Sequence, residues 1–442
     1  GSPPDRDGPH ELRAGDVELR QLAYSDSLLE LDGLADGSFI LLGDRLLLMD
    51  RAGDYVSQQL EYFAWFGRSG REDGKVHLPG ATGDGILLLP GEEVELDLPA
   101  VGDGGPATLQ FIATAYGAVH GEGTTTLEIE LADERVFEGA LPNQLVPRGL
   151  AHRIPQASAP GGPTRFRSTS GKGVVLILNP TIVPDVPAAA TGQPDVVLFL
   201  ADTFRADCME AWGGLPGITP HMNAFARESW AFLETRAPSS WTLPSQASML
   251  TGVCPLQHGV TNSGLALPEG LPTLARSFRE AGYRTVAVTD SVLVSERFGM
   301  DSGFETFLEQ PSDKDFERDT LERVREVLEL DDGRPLLLFV QSYRTHTPYV
   351  ASAQTLADLP ELFGEDADPA AWDFERVKLQ LAYAITNETD ARPAMLAEAN
   401  GRLLRLYQGG ATDLDRGFGQ LLELLDEQGM DDALVVLTSD HG

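Results

Sequence analysis

Lysine is scarce in this 442-residue chain: only Lys75, Lys172, Lys314 and Lys378 occur, and the other basic residues are arginines. With 33 basic against 68 acidic residues, the formal charge is −35 and the pI is near 4.4. Such a surface repels nucleic acid and anionic lipid at long range, which argues against a nucleic-acid-binding module. An anionic ester could still be held where a metal ion or arginine supplies local positive charge. Cysteine is equally rare. Cys208 and Cys254 make neither a disulfide framework nor a zinc-finger pattern, and both are expected as small buried residues. No apolar run approaches the roughly 18 residues of a membrane span. The longest candidates, residues 173–179 and 336–340, have strand length. No signal peptide is visible, and Gly1-Ser2 resembles a cloning scar. There is no internal repeat.

What is present is ordinary globular material. Hydrophobic residues make up 42% and charged residues 23%, which excludes general disorder. The length suits two or three domains, or one large α/β domain with an attachment.

The first part reads as β. Val94, Leu96 and Leu98 alternate with Glu93, Glu95 and Asp97; Leu127, Ile129 and Leu131 alternate with Thr126, Glu128 and Glu130. Period two with one polar face marks a half-buried strand. Further apolar stretches at 39–42, 85–89, 109–113 and 173–178 are separated by Gly, Pro and Asp. This predicts a jelly-roll-like β-sandwich over residues 1–182. Tyr62, Phe63, Trp65 and Phe66 lie within it, as sandwich core contacts in preference to a sugar-stacking patch. Residues 183–194, rich in Pro and Ala, are the expected linker.

After residue 195 the pattern changes. Strands at 196–200, 283–288, 336–340 and 434–437 alternate with helices at 271–281 and 316–330, and a helix carries the apolar stripe Leu414, Phe418, Leu421, Leu422 and Leu425. Another helix is expected to open at Thr219-Pro220, with Thr219 as N-cap. Alternation of this kind predicts a parallel α/β sheet, in which ligands bind beyond the carboxyl ends of the strands.

Three strand ends are polar. The first ends Ala201-Asp202-Thr203, another runs into Gln341-Ser342-Tyr343-Arg344-Thr345-His346, and the last ends Ser439-Asp440-His441. Two carboxylates and two imidazoles at one sheet edge suit Zn, Mn or a similar ion; oxygen ligands alone would suit Ca or Mg. Taken singly, an Asp after a strand usually caps a turn, so the case rests on several strand ends agreeing. Between residues 237 and 252, Pro244 can begin a helix with Thr242 just before it. A hydroxyl there faces the positive end of the helix dipole, though either Thr242 or Ser240 could be a plain N-cap.

These motifs together resemble the sulfatase branch of the alkaline phosphatase superfamily. Residues 195–207 resemble its opening strand and metal loop. Thr219-Pro220-His221-Met222-Asn223 resembles its Thr-Pro-Asn-Leu-Asp, and residues 240–252 its nucleophile segment. Thr345-His346-Thr347-Pro348-Tyr349 and Ser439-Asp440-His441-Gly442 resemble its later His and Asp-His motifs. The order is right across about residues 195–442, and the β region lies outside it. The resemblance implies an α/β catalytic domain of alkaline-phosphatase type over 195–442. Asp202, Thr242, Asp440 and His441 would hold a divalent metal (Zn, Mn, Ca or Mg). Thr242 would be the nucleophile, with Gln246 at the end of its motif, and His346 would assist the leaving group or hold a non-bridging oxygen. The substrate would be an anionic ester, on a glycan or lipid head group, and the location extracytoplasmic.

The departures from the family pattern are specific. Sulfatases begin the nucleophile motif with Cys or Ser and end it with Arg; here Thr242 and Gln246 stand at those positions. Thr cannot give the formylglycine aldehyde, so no formylglycine is expected and phosphate esters are favoured over sulfate. Asp202-Thr203 replaces the usual Asp-Asp, which favours a single metal, or a second bound weakly. The family's Lys-Trp-His stretch is absent, with residues 288–292 in its place. The chain stops at Gly442 where the family normally continues, so the catalytic domain is expected to be incomplete. Two alternatives stand beside the hydrolase: a degenerate domain that binds a glycan or partner, and a phosphoglycerol- or phosphoethanolamine-type transferase. His258 and His221 are read as structural, and Arg205 as either a partner of Asp207 or a substrate contact.

Overall fold

The computed structural model describes residues 192–442, apart from 269, 291, 311–319, 365–367, 387–388 and 390. It also describes 70–72, 75–78, 81–98, 107–116, 123–144, 150–156, 162–171 and 173–184, and the strand backbones at 12–14, 17–18, 38–42 and 45–49. The aromatic cluster at residues 62–66 and most of the expected linker (185–191) lie outside these residues.

Five parallel strands form the heart of the C-terminal half, in the order Leu434–Thr438, Val196–Ala201, Leu336–Ser342, Arg284–Thr289, Thr306–Glu309. The apolar runs at 196–201, 284–289 and 336–342 are covered on both faces, whereas Leu434–Thr438, at the edge of the sheet, is partly exposed. Val197, Phe199 and Ala201 face one core with Val286, Val288 and Leu338, against Leu414, Phe418 and Leu421. Val196 and Leu200 face the other with Ala287, Leu337 and Phe339, against Leu243, Ala247 and Leu250. Helices therefore cover both faces: Arg392–Glu427, Pro220–Glu228 and Glu322–Leu328 on one, Thr242–Thr251 and Leu274–Glu280 on the other.

Several local expectations are refined. The helix expected at 271–281 spans Leu274–Glu280, capped by the Thr273 hydroxyl accepting from Arg276 N–H at 3.1 Å. The helix expected at 316–330 is described as Glu322–Leu328. Thr219 precedes the helix Pro220–Glu228 but does not cap it with its side chain. Its hydroxyl donates to the Cys208 carbonyl, and the free N–H groups of His221 and Met222 donate to the Asp415 carboxylate at 3.0 and 2.7 Å. A carboxylate carries full charge toward the helix dipole, so it serves there better than a hydroxyl. Cys208 is buried, with its thiol pushed up to about 12 by burial, whereas Cys254 is exposed. Cys254 is exposed because it sits at the start of a surface turn, the helix Pro255–His258, rather than in the core. The apolar stripe at 414–425 is the end of a 36-residue helix, Arg392–Glu427. A further helix, Phe374–Thr386, lies outside the expected elements; its apolar stripe is Phe374, Val377, Leu381 and Ala384, and exposed Leu379, Tyr383 and Ile385 on its other faces blur that period in the sequence. No helix among the described residues is long and apolar enough to cross a membrane.

The preceding region is antiparallel β in two layers. One holds Gly85–Leu88, Val174–Pro184, Ala107–Tyr116 and Leu150–Gln156; the other holds Glu134–Gln144, Thr124–Leu131, Gly162–Ser170 and Glu93–Leu98. Between them lie Leu109, Phe111, Leu127, Ile129, Phe166, Val175 and Ile177. The expected alternation of Val94, Leu96 and Leu98 with acidic residues appears as a strand whose Glu93 and Glu95 face Arg167 and Arg165 at the surface.

The strand Val174–Pro184 is apolar on both faces for a reason. Val175 and Ile177 enter the sandwich core, while Val174, Leu176 and Leu178 join Val324, Val327 and Leu330 in the core under the α/β sheet. The two halves are joined a second time by backbone. Ala81–Gly83 pairs antiparallel with Thr306–Glu309 and, with Lys75–Leu78 and Gly70–Glu72, extends the parallel sheet to eight strands. Two residues later, Gly85–Leu88 pairs inside the sandwich. The chain passes between the sheets at Gly83-Asp84-Gly85, where a Cβ at Gly83 would lie 2.4 Å from the Glu305 carbonyl oxygen. Only glycine allows that approach.

Leu176→Ala is expected to cost about 2–5 kcal/mol, the usual range for an emptied core site. It should lower the melting of both halves, because its side chain lies between them. Leu127→Ala, inside the sandwich, should lower the sandwich transition alone. Differential scanning calorimetry of the two variants checks this.

Candidate active site

The site is built at the carboxyl ends of the strands Val196–Ala201 and Leu434–Thr438. Asp202 follows the first and Asp440 the second, and both are fully buried. Thr242 opens the helix Thr242–Thr251 and is also buried, as is Gln246 one turn further on. Thr242 lies inside the first turn, not ahead of it as the Pro244 signal suggested; Trp241 is the N-cap. His441 is partly exposed. One ligand atom from each of Asp202, Asp440 and His441 falls within 4.8 Å of the others.

Thr242 Oγ1 is 3.4 Å from Asp202 Oδ1 and 3.3 Å from His441 Nε2. Gln246 Nε2 lies 3.5 Å from Asp202 Oδ2 and 3.5 Å from Asp440 Oδ2. The backbone N–H groups of Thr203 and His441 both donate to Asp440 Oδ1, at 2.9 and 2.8 Å. Ser245 fixes the same turn by donating to the Asp440 carbonyl at 2.6 Å, and Thr345 donates to the Asp202 carbonyl at 2.6 Å. Of the residues expected from the sequence, Asp202, Thr242, Gln246, Asp440 and His441 therefore converge. His346 stands one residue beyond Thr345, half-buried, with Nδ1 2.8 Å from the Thr347 carbonyl oxygen and its ring edge-on to Tyr343.

The electrostatics are those of a site short of positive charge. Burial raises the Asp202 carboxyl well above its ordinary range, and the neighbouring Asp440 charge adds to this. No Lys or Arg among the described residues hydrogen-bonds either carboxylate. Arg205, left open between two roles, pairs with Asp207 at 2.9 Å on the surface. Gln246 Oε1 is buried without a hydrogen-bond partner. Two carboxylates, an imidazole nitrogen, a hydroxyl and an unpartnered amide oxygen form a donor set suited to a divalent cation.

Supporting residues were less visible in the sequence. Gln341 Nε2 points at Asp202 Oδ2 from 3.4 Å, and its Oε1 accepts from Asp290 N–H at 3.0 Å. Asp290, where the family's Lys-Trp-His stretch would be, accepts from Tyr343 N–H at 2.7 Å and from the Thr320 hydroxyl at 2.9 Å. His258 is structural, as expected. Its Nδ1 accepts from Val260 N–H, so Nε2 carries the proton and donates to Ser248 Oγ at 3.0 Å, which holds the Thr242 helix. Buried Arg344 pairs with Asp413, which also accepts from Ser352 and Thr355 and so anchors the turn after His346. Burial opposes the charge on Asp413, but Arg344 and these hydroxyls together hold its carboxyl below the ordinary value. The strand-end polar run marked Gln341 in the sequence; nothing in the sequence marked Asp413.

Residues 194–442 match the family model described as Sulfatase. The chain belongs to the sulfatase family. It is 27% identical over 327 residues to the multifunctional alkaline phosphatase superfamily protein PehA of Trinickia caryophylli, covering 57% of this chain and 63% of that one. It is 28% identical over 111 residues to an N-acetylglucosamine-6-O-sulfatase of Bacteroides thetaiotaomicron, covering 25% of this chain and 20% of that one. A solved phosphonate monoester hydrolase from Silicibacter pomeroyi superposes with a TM-score of 0.42 at 22% identity, over 57% of this chain and 63% of that chain. The chain thus spans less than two thirds of the length of these relatives.

Asp202→Asn removes one of two crowded charges while keeping the side chain's shape. The metal-free variant is expected to melt roughly 2–4 °C higher, about 1 kcal/mol for a domain of this size, while losing any stabilisation by Mn²⁺. A lower midpoint measured in EDTA would contradict the charge argument. Asp413→Asn removes the carboxylate charge that faces buried Arg344 and should cost about 3–5 kcal/mol. Because the folded-state carboxyl is held low, its contribution is present above the unfolded value near 3.9 and is lost as pH falls through the folded one. The wild-type advantage over the variant should therefore shrink in denaturant titrations below about pH 4.

Proposed function

We propose that this chain is a metal-dependent hydrolase of phosphate esters, with diesters or sulfate esters within reach, that works through a Thr242 nucleophile and a covalent intermediate. The observation that carries the reading is the placement of a buried Thr242 hydroxyl, in the first turn of a helix, between Asp202 and His441. Asp202, Asp440, His441 and Thr242 would hold the metal, of Zn, Mn, Ca or Mg type. When bound, it would supply positive charge that favours the ionised hydroxyl and the developing charge on the ester.

The remaining chemistry belongs to the chain. Thr242 Oγ attacks phosphorus in line, the Oγ–P bond forms and the ester oxygen leaves. His441 Nε2, 3.3 Å from Oγ1, would be committed to the cation, so the hydroxyl proton passes to water as Thr242 ionises. His346, on the turn after the neighbouring strand, is the candidate donor to the leaving oxygen. Water then hydrolyses the phosphothreonine. The helix dipole and free first-turn N–H groups favour the anionic ester. Thr242 bears a methyl on its reacting carbon, so formylglycine chemistry does not arise.

The names of the relatives support an ester bond as the target, and the sulfated-sugar enzyme among them supports a glycan as carrier. A lipid head group is equally compatible with an anionic ester. The β region of residues 1–182 is read as an accessory domain, and an extracytoplasmic location is consistent with the family.

Thr242→Ala should lower turnover of aryl phosphate monoester, diester, phosphonate and sulfate probes by at least about a thousandfold, with an unchanged melting curve. The probes are run with Mn, Zn, Ca or Mg added. Unchanged turnover would end the assignment. Silence on every ester from folded wild-type protein would favour the binding-protein reading instead.

A further inference from the structure

Thr203 stands where the family more often has a second carboxylate, yet its position is far from casual. It is one of five non-glycine residues among those described with a positive φ, at +58°. A β-branched residue is costly in that region and persists only where its surroundings over-determine it. All three of its polar groups are committed. The N–H donates to Asp440 Oδ1 at 2.9 Å, the hydroxyl donates to Asp202 Oδ1 at 2.7 Å, and the carbonyl accepts from the Tyr407 hydroxyl at 2.7 Å. Thr203 is thus hydrogen-bonded to both carboxylates at once, at distances well inside the 3.5 Å of Gln246.

Tyr407 arrives from the long helix Arg392–Glu427, about two hundred residues away in sequence, and is buried. Its oxygen accepts from Arg205 N–H at 2.7 Å while donating to the Thr203 carbonyl. One phenol therefore clasps the turn on either side of Phe204. Its ring is held edge-on by Tyr349.

The geometry points to Thr203 and Tyr407 as a positioning pair: Tyr407 locks the left-handed turn, and that turn lets Thr203 fix the spacing of Asp202 and Asp440 so that the pair is ready for a cation. This inference rests on the metal reading given above. Left-handed backbone is the element that matters. In a right-handed or extended conformation, the N–H and the hydroxyl of one residue could not reach carboxylates from two different strands in this way. The loss of a second acidic residue at 203 is then a substitution of roles, from adding charge to holding the charge already there.

The test is Mn²⁺ binding to the full chain by isothermal titration calorimetry, with melting in EDTA as the control for folding. Thr203→Val keeps the branched shape and loses the hydroxyl; it should weaken Mn²⁺ binding by about tenfold or more, as removal of an orienting partner commonly does. Thr203→Ser restores the hydroxyl and should bind within about twofold of wild type. Tyr407→Phe should also weaken binding about tenfold, but in a Thr203→Gly background, where a left-handed turn is free, it should change little. Equal affinity of the Val and Ser variants, or the same Tyr407→Phe effect in both backgrounds, would overturn the pair. His441→Ala separates the two claims: wild type binding no better than this variant removes the metal reading itself, whereas wild-type binding with unaffected Thr203 and Tyr407 variants removes only the positioning pair.

Discussion

Two carboxylates that cannot reach solvent are the constraint from which the α/β half is organised. Asp202 and Asp440 end adjacent parallel strands, and the sheet brings them together whether or not their charges are compensated. Their mutual repulsion and burial must be offset locally. Thr203, His441 and Gln341 supply hydrogen bonds, Gln246 adds amide N–H at longer range, and no cationic side chain among the described residues bonds to them. The rest of the architecture holds these donors in place. Asp290 orients Gln341, His258 steadies the helix that carries Thr242 and Gln246, and the Arg344–Asp413 cluster fixes the turn beyond the central strand. Two buried carboxylates this close carry an electrostatic cost that hydrogen bonds alone offset only in part.

The parts of this plan that the sequence displayed are those with local signals. An acidic residue at the end of a continuous apolar run stands out, whether the strand is buried on both faces, as before Asp202, or partly exposed at the sheet edge, as before Asp440. The segment around Thr242 carried its own punctuation in Pro244 and Gly252. What was not visible depends on residues that look ordinary in their own neighbourhood. Asp415 and Tyr407 sit within a long helix and resemble its other polar and aromatic positions, yet one caps a helix nearly two hundred residues earlier and the other pins the loop after the first strand. Cys254 shows the converse. Its residue type suggested a core position, and a turn at the surface decided otherwise. Period and composition report the environment of an element; they do not report which distant element it meets.

The β region illustrates how one strand can satisfy two cores. The run at 173–178 is apolar without alternation, unlike Glu93–Leu98 or Thr124–Leu131, because both of its faces are covered. Its packing against the helix Glu322–Leu328 makes the sandwich a wall of the α/β half as well as a body of its own. Polar contacts add to this seam, with Arg279 paired to Asp84 and Asn179 donating to the Glu305 carbonyl.

The Gly83-Asp84-Gly85 crossing has a bearing on how such a protein can change through evolution. An α/β half that borrows its edge strands from upstream cannot be moved by cutting after the sandwich, since the excised piece would present the bare backbone of Thr306–Glu309 as a template for other chains. Recombination that swaps the accessory domain must carry residues 70–83 along with the downstream half, or rebuild that edge. The unit of inheritance is therefore discontinuous, and the two sheets are bound to diverge together.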